Sequence, residues 1–476
     1  MRDYRKFYIG GEWVAPAIPE QTEVIDPTTG RVSGLISRGS AADVDRAVEC
    51  ARTAFESWSH TTREERIAVL TRIKGCLEAR YQDMTAAISE ELGAPIWLAR
   101  DMQAALGIAH LQVAIGVLQN FPFEEARGTT QIVREPVGIC GLITPWNWPL
   151  HQIAAKVVPA LAAGCTMVLK PAELAPFSAH IWAEVLDEAG VPPGVFNMVD
   201  GRGTVIGAAI SAHPDIDMVS FTGSTNAGIE VARNAAQTVK RVCQELGGKS
   251  ANIVLADADL ELAVSGAVKG AMLNTGQTCS ALTRLLVPAT HIDAVVRIAA
   301  AAADAISVGP PSENHEMGPL VSQGQWTTVQ ALIETGIAEG ARLIAGGPGK
   351  PEGLEEGYYA RPTVFAGVTP QMTIGREEIF GPVLSIIAYD TVEEAIAIAN
   401  DSPYGLSGGV QGNDPAQVRE VARRLRTGQV YLNGAGVDFT APFGGYKQSG
   451  NGREWGDFAF AEYLEVKAII GANPPA

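Results

Sequence analysis

The residue with the clearest chemical potential is Cys279, which follows Asn274, Gly276 and Thr278 in a stretch of small and polar residues. A thiol framed in this way can lie on a loop and attack a substrate as a thiolate. The other five cysteines have apolar or helix-forming neighbours, where a free thiol usually packs as a small hydrophobe. They are Cys50, Cys76, Cys140, Cys165 and Cys243. Cys279 therefore needs partners before it indicates catalysis.

Two further residues are candidate partners. Glu245 ends an apolar stretch and precedes Gly247 and Gly248. Desolvation there would raise its pKa towards that of a general base, and the alternative is a structural ion pair. Asn147 lies between aromatic and proline residues, where its amide can donate to a developing oxyanion. The alternative for Asn147 is an Asx turn before a helix.

Several glycine-rich stretches are candidates for a dinucleotide site. Gly203 and Gly207 lie in a segment similar to G-x-G-x-x-G, but its last spacing is one residue too long. The alternative is a glycine turn into a helix. Phe221, Gly223 and Ser224 follow a strand and open a helix, whose free N–H groups and dipole suit a pyrophosphate. A plain N-cap is the alternative for Ser224.

Lys170 and Glu173 follow another predicted strand and can address an adenosine ribose. A glutamate that accepts a hydrogen bond from the ribose 2′-hydroxyl repels a 2′-phosphate, so the pair favours NAD over NADP. A surface lysine next to a glutamate at a helix start is the alternative interpretation.

Strands and helices alternate regularly through the middle of the chain, as a parallel sheet requires. Strands are predicted at 139–143, 166–170, 195–199, 218–222 and 239–246, with helices at 151–163, 176–189, 204–211 and 225–236. This pattern predicts a doubly wound, Rossmann-like parallel sheet that binds ligands at the carboxyl ends of its strands. The candidate residues of this region lie at those ends.

Flanking regions complete the α/β organisation. Residues 7–35 predict short strands and turns, 41–119 predict helices, and 128–137 predict an exposed strand. A second α/β unit is predicted after residue 248. Its strands are expected at 252–255, 285–287, 342–344, 363–365 and 384–388, and its helices at 260–273, 292–306, 325–338 and 392–399.

Length and composition exclude several classes of function. A chain of 476 residues with 46% apolar residues suits a globular protein of two or more domains. A formal net charge of -17 argues against nucleic-acid or anionic-membrane partners. No uncharged apolar run is long enough to span a membrane, and no histidine has a metal-ligand spacing. Scattered cysteines and an amino terminus without an apolar signal core predict a cytoplasmic protein.

Taken together, the motifs resemble those of the aldehyde dehydrogenase superfamily, in its order and over nearly the whole chain. They are Pro145-Trp146-Asn147, Leu169-Lys170-Pro171-Ala172-Glu173, Phe221-Thr222-Gly223-Ser224, Glu245-Leu246-Gly247-Gly248-Lys249, Gly276-Gln277-Thr278-Cys279, Glu378-Ile379-Phe380-Gly381-Pro382 and Pro442-Phe443-Gly444-Gly445-Tyr446-Lys447-Gln448-Ser449-Gly450. The resemblance implies an NAD-binding domain (1–117 and 137–248), a catalytic domain (249–447) and a small β oligomerisation element (118–136 and 462–476). A homodimer or homotetramer is expected.

The resemblance also implies roles for individual residues. Cys279 would be the nucleophile, Glu245 the base that activates water, and Asn147 with the Cys279 backbone N–H the oxyanion site. The expected cofactor contacts are Ile143, Thr144, Trp146, Lys170, Glu173, Gly203, Gly207, Phe221, Gly223, Ser224, Leu246, Glu378 and Phe380. Glu378 would hold the nicotinamide ribose and Phe380 would pack near the nicotinamide.

The predicted activity is NAD-dependent oxidation of an aldehyde to a carboxylic acid, through a thiohemiacetal and a thioester on Cys279. The presence of Glu245 favours hydrolysis of that thioester. Trp148, His151, Phe439 and Phe443 are candidates for a pocket that takes an apolar or elongated aldehyde, either terpenoid, aliphatic or aromatic. A semialdehyde or ω-oxo acid dehydrogenase is the alternative within the family. A cysteine-dependent esterase or acyltransferase and a non-catalytic binding protein are the alternatives outside it.

Overall fold

In the computed structural model, which describes residues 1–472, the chain begins with short strands followed by a layer of helices. The strands are β1 (Arg2–Tyr4), β2 (Phe7–Ile9), β3 (Glu12–Val14), β4 (Glu20–Asp26) and β5 (Arg31–Arg38). The helices are α1 (Ala41–Trp58), α2 (Arg63–Ala79), α3 (Tyr81–Leu92), α4 (Ile96–Leu98) and α5 (Ala105–Asn120). β1, β5 and β4 form a small sheet, and the π-helical turn Ala99–Ala104 joins α4 to α5. The predicted helical region is confirmed.

The predicted alternation of strands and helices builds an eight-stranded sheet. Its elements are β8 (Ile139–Ile143), α6 (Pro149–Ala163), β9 (Thr166–Lys170), α7 (Phe177–Glu188), β10 (Phe196–Met198), α8 (Ala208–Ala212), β11 (Met218–Thr222), α9 (Thr225–Ala235) and β12 (Arg241–Glu245). The five strands lie in the order β12-β11-β8-β9-β10 and pair in parallel. The chain order reverses between β8 and β11, which leaves a crevice at the carboxyl ends of these two strands.

Antiparallel strands extend both edges of this first sheet. β2 and β3 join beyond β10, and β20 (Gly450–Asn451) pairs with β12 so that Gly450 lies opposite Glu245. The predicted helix over 204–211 begins as a π-helical turn, Gly203–Gly207, before α8. Helices cover both faces of the five parallel strands, so almost every residue of β8, β9 and β11 is buried.

The second unit contains a seven-stranded sheet in the order β15-β16-β17-β14-β13-β18-β19, in which all pairs except β15 with β16 are parallel. Its elements are β13 (Ala251–Val254), α10 (Leu260–Met272), β14 (Arg284–Pro288), α11 (Ile292–Asp304), α12 (Gln323–Ala338), β15 (Arg342–Ala345), β16 (Thr363–Ala366), α13 (Thr373–Arg376), β17 (Val383–Tyr389), α14 (Val392–Asn400), β18 (Ser407–Gln411), α15 (Pro415–Arg424) and β19 (Gln429–Leu432).

The sequence did not predict the last part of this sheet. β18 contains two adjacent glycines, and glycine is a poor strand residue by propensity alone. β18 forms because β13 pairs with it on one side and β19 on the other. Only residues 246–250 separate β12 of the first sheet from β13 of the second. This position agrees with the predicted boundary near residue 248, while the full domain limits stay a prediction.

A third, antiparallel sheet consists of β6 (Glu124–Arg127), β7 (Thr130–Pro136) and β21 (Leu464–Ile470), with α16 (Gly456–Glu462) before β21. β21 lies at an edge and exposes Val466, Ile469 and Ile470. The predicted oligomerisation element, 118–136 and 462–476, contains these strands. Its residues 473–476 lie outside the described part of the chain, and its role stays a prediction.

The helical stretch Ile96–Asn120 is, by length and composition, apolar enough to cross a membrane. In the fold it contacts α2 and α6, and its residues Leu98, Leu111 and Leu118 belong to the main hydrophobic core. It also buries the polar side chains of Gln103 and His110. The apolar character of this stretch is therefore explained by packing within the protein.

Arg284, on β14 of the second sheet, forms hydrogen bonds with Lys249 in the connection 246–250 between the two sheets and with the end of α14. These bonds lead to a prediction about stability. The buried guanidinium donates to the carbonyl oxygens of Lys249, Ile398 and Ala399 at 2.8, 2.9 and 2.9 Å. We expect Arg284→Met to destabilise the protein by about 3 kcal/mol, because three buried carbonyls lose a charged donor. Urea denaturation followed by tryptophan fluorescence measures the change. The exposed Arg342 on β15 is the control, and an equal loss in Arg342→Met would contradict this account.

Candidate active site

The two sheets meet at a cavity of about 250 Å³. The carboxyl ends of β11 and β12 lie on one side of it, and the loops that precede β13 and β14 lie on the other. Its walls contain the three residues predicted to be catalytic, Asn147, Glu245 and Cys279. Residues more than 130 positions apart in the chain thus share one cleft. The order of strands in the sheets brings them together.

The loop before Cys279 has an unusual backbone. Asn274, Thr275 and Gly276 all adopt positive φ, at 55°, 58° and 71°. The left-handed conformation costs a residue with a side chain on the order of 1 kcal/mol, so contacts from outside the loop must hold it. Gly276 cannot be replaced, because a Cβ there would lie 2.0 Å from the Gly381 carbonyl oxygen. The loop therefore packs closely against the backbone of Gly381, next to Phe380.

The Cys279 side chain is half-buried and packs in a cluster with Ala155, Phe443 and Trp455. Burial raises the pKa of this thiol well above its ordinary value, and the nearby carboxyl of Glu245 raises it further. Both effects act against the negative charge of a thiolate. In this arrangement the sulfur carries its proton at neutral pH, so attack requires a group that takes the proton.

Glu245 is buried, and its carboxyl oxygens have no hydrogen-bond partner among the described residues other than the Cys279 thiol, which acts to lower the carboxyl's pKa. Desolvation raises its pKa well above the ordinary value, and the carboxyl of Glu454 adds to the rise. Lys156 acts in the opposite direction and forms an ion pair with Glu454. The Cys279 thiol is close enough to affect the Glu245 carboxyl electrostatically. A buried carboxyl with a raised pKa beside a thiol has the properties of a general base.

Asn147 lies just before α6 and is fixed from both ends. Its Nδ2 donates to the backbone carbonyl oxygen of Gln277 at 3.0 Å. This hydrogen bond links Asn147 to residues 274–279, the nucleophile loop, which carries the proposed nucleophile Cys279. The backbone carbonyl oxygen of Asn147 accepts a hydrogen bond from Asn274 Nδ2 at 2.8 Å. One N–H of the Asn147 amide remains available to the cavity. This is the arrangement that an oxyanion donor needs.

The other walls of the cavity suit the reactive end of a dinucleotide. Trp146 and Phe380 meet edge to face at 5.3 Å between ring centroids. The Glu378 carboxylate accepts from Gly248 N–H at 3.0 Å. A Cβ at Gly247 would lie 2.1 Å from that carboxylate, so glycine is required for this close approach. Burial raises the pKa of Glu378 to about 7. The Glu378 carboxylate suits a ribose hydroxyl, and the aromatic rings beside it suit a planar ring attached to that ribose.

The crevice between β8 and β11 offers further groups for the same molecule. The buried hydroxyls of Thr144 and Thr222 have no hydrogen-bond partner among residues 1–472. Ser224 caps α9, accepting from Ala227 N–H at 3.3 Å, so its hydroxyl lies at the positive end of that helix. Unpaired hydroxyls and a helix amino terminus fit a pyrophosphate. The residues present therefore fit NAD.

The predicted cofactor residues divide into two groups. Six line the cavity: Trp146, Gly223, Ser224, Leu246, Glu378 and Phe380. Seven do not line it: Ile143, Thr144, Lys170, Glu173, Gly203, Gly207 and Phe221. Among these, Gly207 approaches Ile143 and Lys170, with 3.7 and 4.0 Å from an ideal Cβ to their side chains. Lys170 is buried, which lowers its pKa, while Glu173 is half-buried. Their contacts with a cofactor stay predictions.

The four predicted substrate-pocket residues form one aromatic cluster, in which three contact Trp455 and Trp148 approaches His151 at 6.4 Å between ring centroids. Phe443 stacks on Trp455 at 4.3 Å, and Phe439 and His151 approach it at 4.9 and 5.7 Å. Trp148 donates from Nε1 to Thr278 Oγ1 at 3.0 Å, which joins the cluster to the nucleophile loop. The structure brings the four residues together beside Cys279.

Other members of the site had no clear signal in the sequence. Gln325 lines the cavity and donates to the Phe380 carbonyl oxygen at 2.8 Å. For Lys156 the one signal is that it is the only charged residue of α6, whose other residues are mostly apolar. His110 and Trp455 join the aromatic cluster from distant segments. The described residues 1–472 contain no cluster of ligands suited to a metal ion.

The chain was compared with known proteins. The model of the aldehyde dehydrogenase family matches residues 13–469. A 3-succinoylsemialdehyde-pyridine dehydrogenase from a Pseudomonas species is 56% identical over 473 residues, which cover 99% of each chain.

Solved structures are similar over almost the whole chain. A mutant of aldehyde dehydrogenase C from Pseudomonas syringae, in complex with NAD+ and octanal, is 54% identical with a TM-score of 0.98, covering 99% of this chain and 97% of that one. An indole-3-acetaldehyde dehydrogenase mutant from P. syringae, in complex with NAD+ and IAA, is 39% identical with a TM-score of 0.96. The alignment covers 98% of this chain and 97% of that chain.

The environment of Cys279 predicts the pH dependence of its reactivity. In the absence of NAD, alkylation of Cys279 by iodoacetamide should accelerate continuously between about pH 6 and pH 9, since only the thiolate reacts and its pKa is raised. Mass spectrometry of the Cys279 peptide measures the rate, and Cys279→Ser gives the background from the other thiols. A rate that reaches a plateau below about pH 8 would mean a lowered pKa and would contradict this prediction.

Proposed function

The chain belongs to the aldehyde dehydrogenase family, and we propose that it oxidises an elongated, uncharged aldehyde to the carboxylic acid by covalent catalysis at Cys279. It is an oxidoreductase that acts on aldehydes with NAD as its cofactor. The observation that carries the proposal for the catalytic residues is the convergence of Cys279, Glu245 and Asn147 on one cavity. An esterase, an acyltransferase and a binding protein do not account for the residues that suit a dinucleotide in the same cavity.

The reaction begins with proton transfer from the Cys279 thiol to the Glu245 carboxylate, whose raised pKa makes it an effective acceptor. The thiolate then forms a bond to the carbonyl carbon of the aldehyde, and the carbonyl electron pair moves to oxygen. Asn147 Nδ2 and the Cys279 backbone N–H donate to that oxygen. The product of this step is a thiohemiacetal on Cys279.

The chemistry that NAD supplies when bound is acceptance of a hydride from the thiohemiacetal carbon. Glu378 and Phe380 are the residues that would hold its reactive end, and Ser224 its pyrophosphate. Loss of the hydride leaves a thioester on Cys279.

Hydrolysis completes the cycle. Glu245, after its first proton has passed to solvent, takes a proton from water, and the hydroxide oxygen bonds to the thioester carbon. The carbon–sulfur bond breaks, Cys279 leaves as a thiolate and the acid is released. Lys156 acts to lower the pKa of Glu245 and so supports its return to the basic form, while Glu454, the ion-pair partner of Lys156, acts in the opposite direction.

The aromatic cluster supports an uncharged, elongated substrate. Trp148, Phe439 and Trp455 present apolar surface next to Cys279. His110 and His151 share a hydrogen bond of 2.8 Å between Nε2 and Nδ1, and burial lowers the pKa of His110 to about 3 and that of His151 well below its ordinary value. Both imidazoles are therefore neutral at physiological pH. Lys156 acts electrostatically on His151, but its ammonium is engaged with Glu454 and Ser220, so a carboxylate on the substrate would find no unpaired cation in this cluster.

The relatives support the same substrate class. Octanal has an uncharged aliphatic chain, and the indole of indole-3-acetaldehyde and the pyridine in the name of the Pseudomonas enzyme are uncharged aromatic rings. Within the cluster, an aliphatic chain or an aromatic ring can replace water against Trp148 and Phe439. An ω-oxo acid would have to desolvate its second carboxylate there.

Self-association and a cytoplasmic location complete the proposal. β21 is an edge strand with Val466 and Ile470 exposed, and an apolar edge of this kind is stabilised by pairing with a second copy of the chain. We place the enzyme in the cytoplasm because its six cysteines are unpaired thiols, which reducing compartments maintain.

Glu245→Gln separates the two halves of the reaction. Gln can take a proton neither from the Cys279 thiol nor from water, but at about pH 9 solvent hydroxide can take the thiol proton in its place. At that pH the variant should still release an initial burst of NADH, with a steady-state turnover at least about a hundredfold below that of the wild type. Stopped-flow absorbance of NADH measures both phases.

Asn147→Ala is the comparison for this experiment. It removes an oxyanion donor, so the burst itself should slow by about a hundredfold or more. An unchanged steady-state rate in Glu245→Gln would remove Glu245 from the role of base.

The substrate class predicts a trend in kcat/KM. In a series of linear aldehydes the value should rise with chain length, by up to about tenfold per methylene until the pocket is filled. An aldehyde of equal length with a terminal carboxylate should be at least about tenfold poorer, because the wall offers no cation. NADH formation at fixed NAD measures each value. A carboxylate-bearing aldehyde that matches its uncharged counterpart would favour the ω-oxo acid alternative.

A further inference from the structure

Gln103 is a buried polar residue far in sequence from every motif of the site. It lies on the π-helical turn Ala99–Ala104, and its side chain is completely buried. A π-turn accommodates one more residue than an α-helical turn and is often retained at functional sites. Here the turn joins α4 to α5 and places Gln103 beside the nucleophile loop, where an amide would not be expected for packing alone.

The Gln103 amide links the two loops that carry the catalytic groups. Its Nε2 donates to the carbonyl oxygen of Asn147 at 3.2 Å and to Oδ1 of Asn274 at 3.3 Å. One of these acceptors belongs to the proposed oxyanion donor, and the other begins the left-handed segment before Cys279. Its own Oε1 has no hydrogen-bond partner among the described residues. Gln103 thus acts here through its two N–H groups.

The hydrogen bonds of Asn274 determine why a donor is required at this position. Its Nδ2 donates to the carbonyl oxygens of Asn147 and Gln277, at 2.8 and 3.2 Å. An amide nitrogen engaged with two carbonyls leaves the Oδ1 on the other side, and this oxygen needs a donor. Gln103 is the residue that supplies it. These hydrogen bonds determine which amide atoms donate and which oxygens accept among Gln103, Asn147, Asn274 and Gln277.

Other contacts hold the far side of the loop but not the oxyanion site. Thr275 Oγ1 donates to the Gly318 carbonyl oxygen at 3.1 Å, and Gln277 Oε1 accepts from Val321 N–H at 3.0 Å. These contacts fix the loop to the segment before α12. Gln103 alone among the described residues donates to both Asn147 and Asn274.

We infer that Gln103 is a positioning residue, which through Asn274 and the Asn147 backbone holds the oxyanion donor and the nucleophile loop in register. The inference rests on the proposed roles of Asn147 and Cys279. A small displacement of a reacting group lowers the rate strongly while leaving the binding of a remote ligand unchanged. Loss of Gln103 should therefore act on the chemical step rather than on NAD affinity.

Gln103→Met tests the inference, because methionine has a similar length and volume but no donor. We expect the rate of the NADH burst with a saturating aldehyde to fall by about tenfold to a hundredfold. The Kd for NAD, measured by quenching of tryptophan fluorescence, should change by less than about twofold. A burst rate within about threefold of the wild type would overturn the inference.

Gln330→Met is the matched control. Gln330 is equally polar and also buried, but it lies on α12, where its Oε1 accepts from Gly349 N–H. This variant should keep the wild-type burst rate. If it slows the burst as much as Gln103→Met does, the effect is a general consequence of losing a buried amide and the inference fails.

Gln103→Glu provides a readout that a purely structural role would not change. The carboxylate has no donor, but its protonated form has one O–H that can restore one of the two hydrogen bonds. The burst rate of this variant relative to the wild type should therefore rise as the pH falls from about 8 to 6. A ratio that is independent of pH would overturn the inference, and this experiment decides the question even if Gln103→Met does not fold.

The failure of the inference can be distinguished from that of the proposed function. Cys279→Ala should abolish the burst whatever the role of Gln103. If Cys279→Ala retains the burst, the proposed mechanism is wrong. If Cys279→Ala is inactive and both Gln103 variants behave like the wild type, the mechanism stands and only the role of Gln103 is rejected.

Discussion

The site depends on one short connection between two sheets. Residues 246–250 join the carboxyl end of β12 to the amino end of β13, so Glu245 at the end of one sheet cannot lie far from the first loops of the other. A Cβ at Gly248 would come within 2.7 Å of the Cys279 carbonyl oxygen, which shows how closely the connection passes the nucleophile loop. This covalent constraint brings Glu245 and Cys279, the proposed base and nucleophile, to one cavity with Asn147.

Burial determines the chemistry within that cavity. Desolvation raises the pKa values of both Cys279 and Glu245; the Glu245 carboxyl raises that of the thiol further, while a hydrogen bond from the thiol acts to lower that of the carboxyl. The pair therefore holds a proton at neutral pH and can pass it between sulfur and oxygen. Glu454 adds to the rise of the Glu245 pKa, and Lys156 acts against it. A more exposed site would lose this coupling.

Holding the groups around Cys279 in place requires strained backbone and leaves polar groups unpaired. Asn274 and Thr275 adopt left-handed conformations, and Gln103 leaves an amide oxygen without a partner among the described residues. Such features reduce stability and persist where the surrounding structure compensates for them. Their concentration around Cys279 agrees with a site in which the orientation of reacting groups is maintained at the expense of stability. The aromatic cluster packs against that sulfur on the other side, where we propose that it selects the aldehyde.

The sequence alone determined much of this protein. Strands, helices and turns follow from apolar periodicity and glycine punctuation, which are local properties, so the five-strand alternation and the family motifs around Cys279, Glu245 and Asn147 could be identified directly. Only the tertiary structure decided which distant residues complete the site. Gln103, Lys156 and Trp455 have no motif, and their importance depends on contacts between distant segments of the chain, 171 positions apart for Gln103 with Asn274 and 298 for Lys156 with Glu454. Strand order and burial are properties of the whole fold, and they determine these contacts and the raised pKa values.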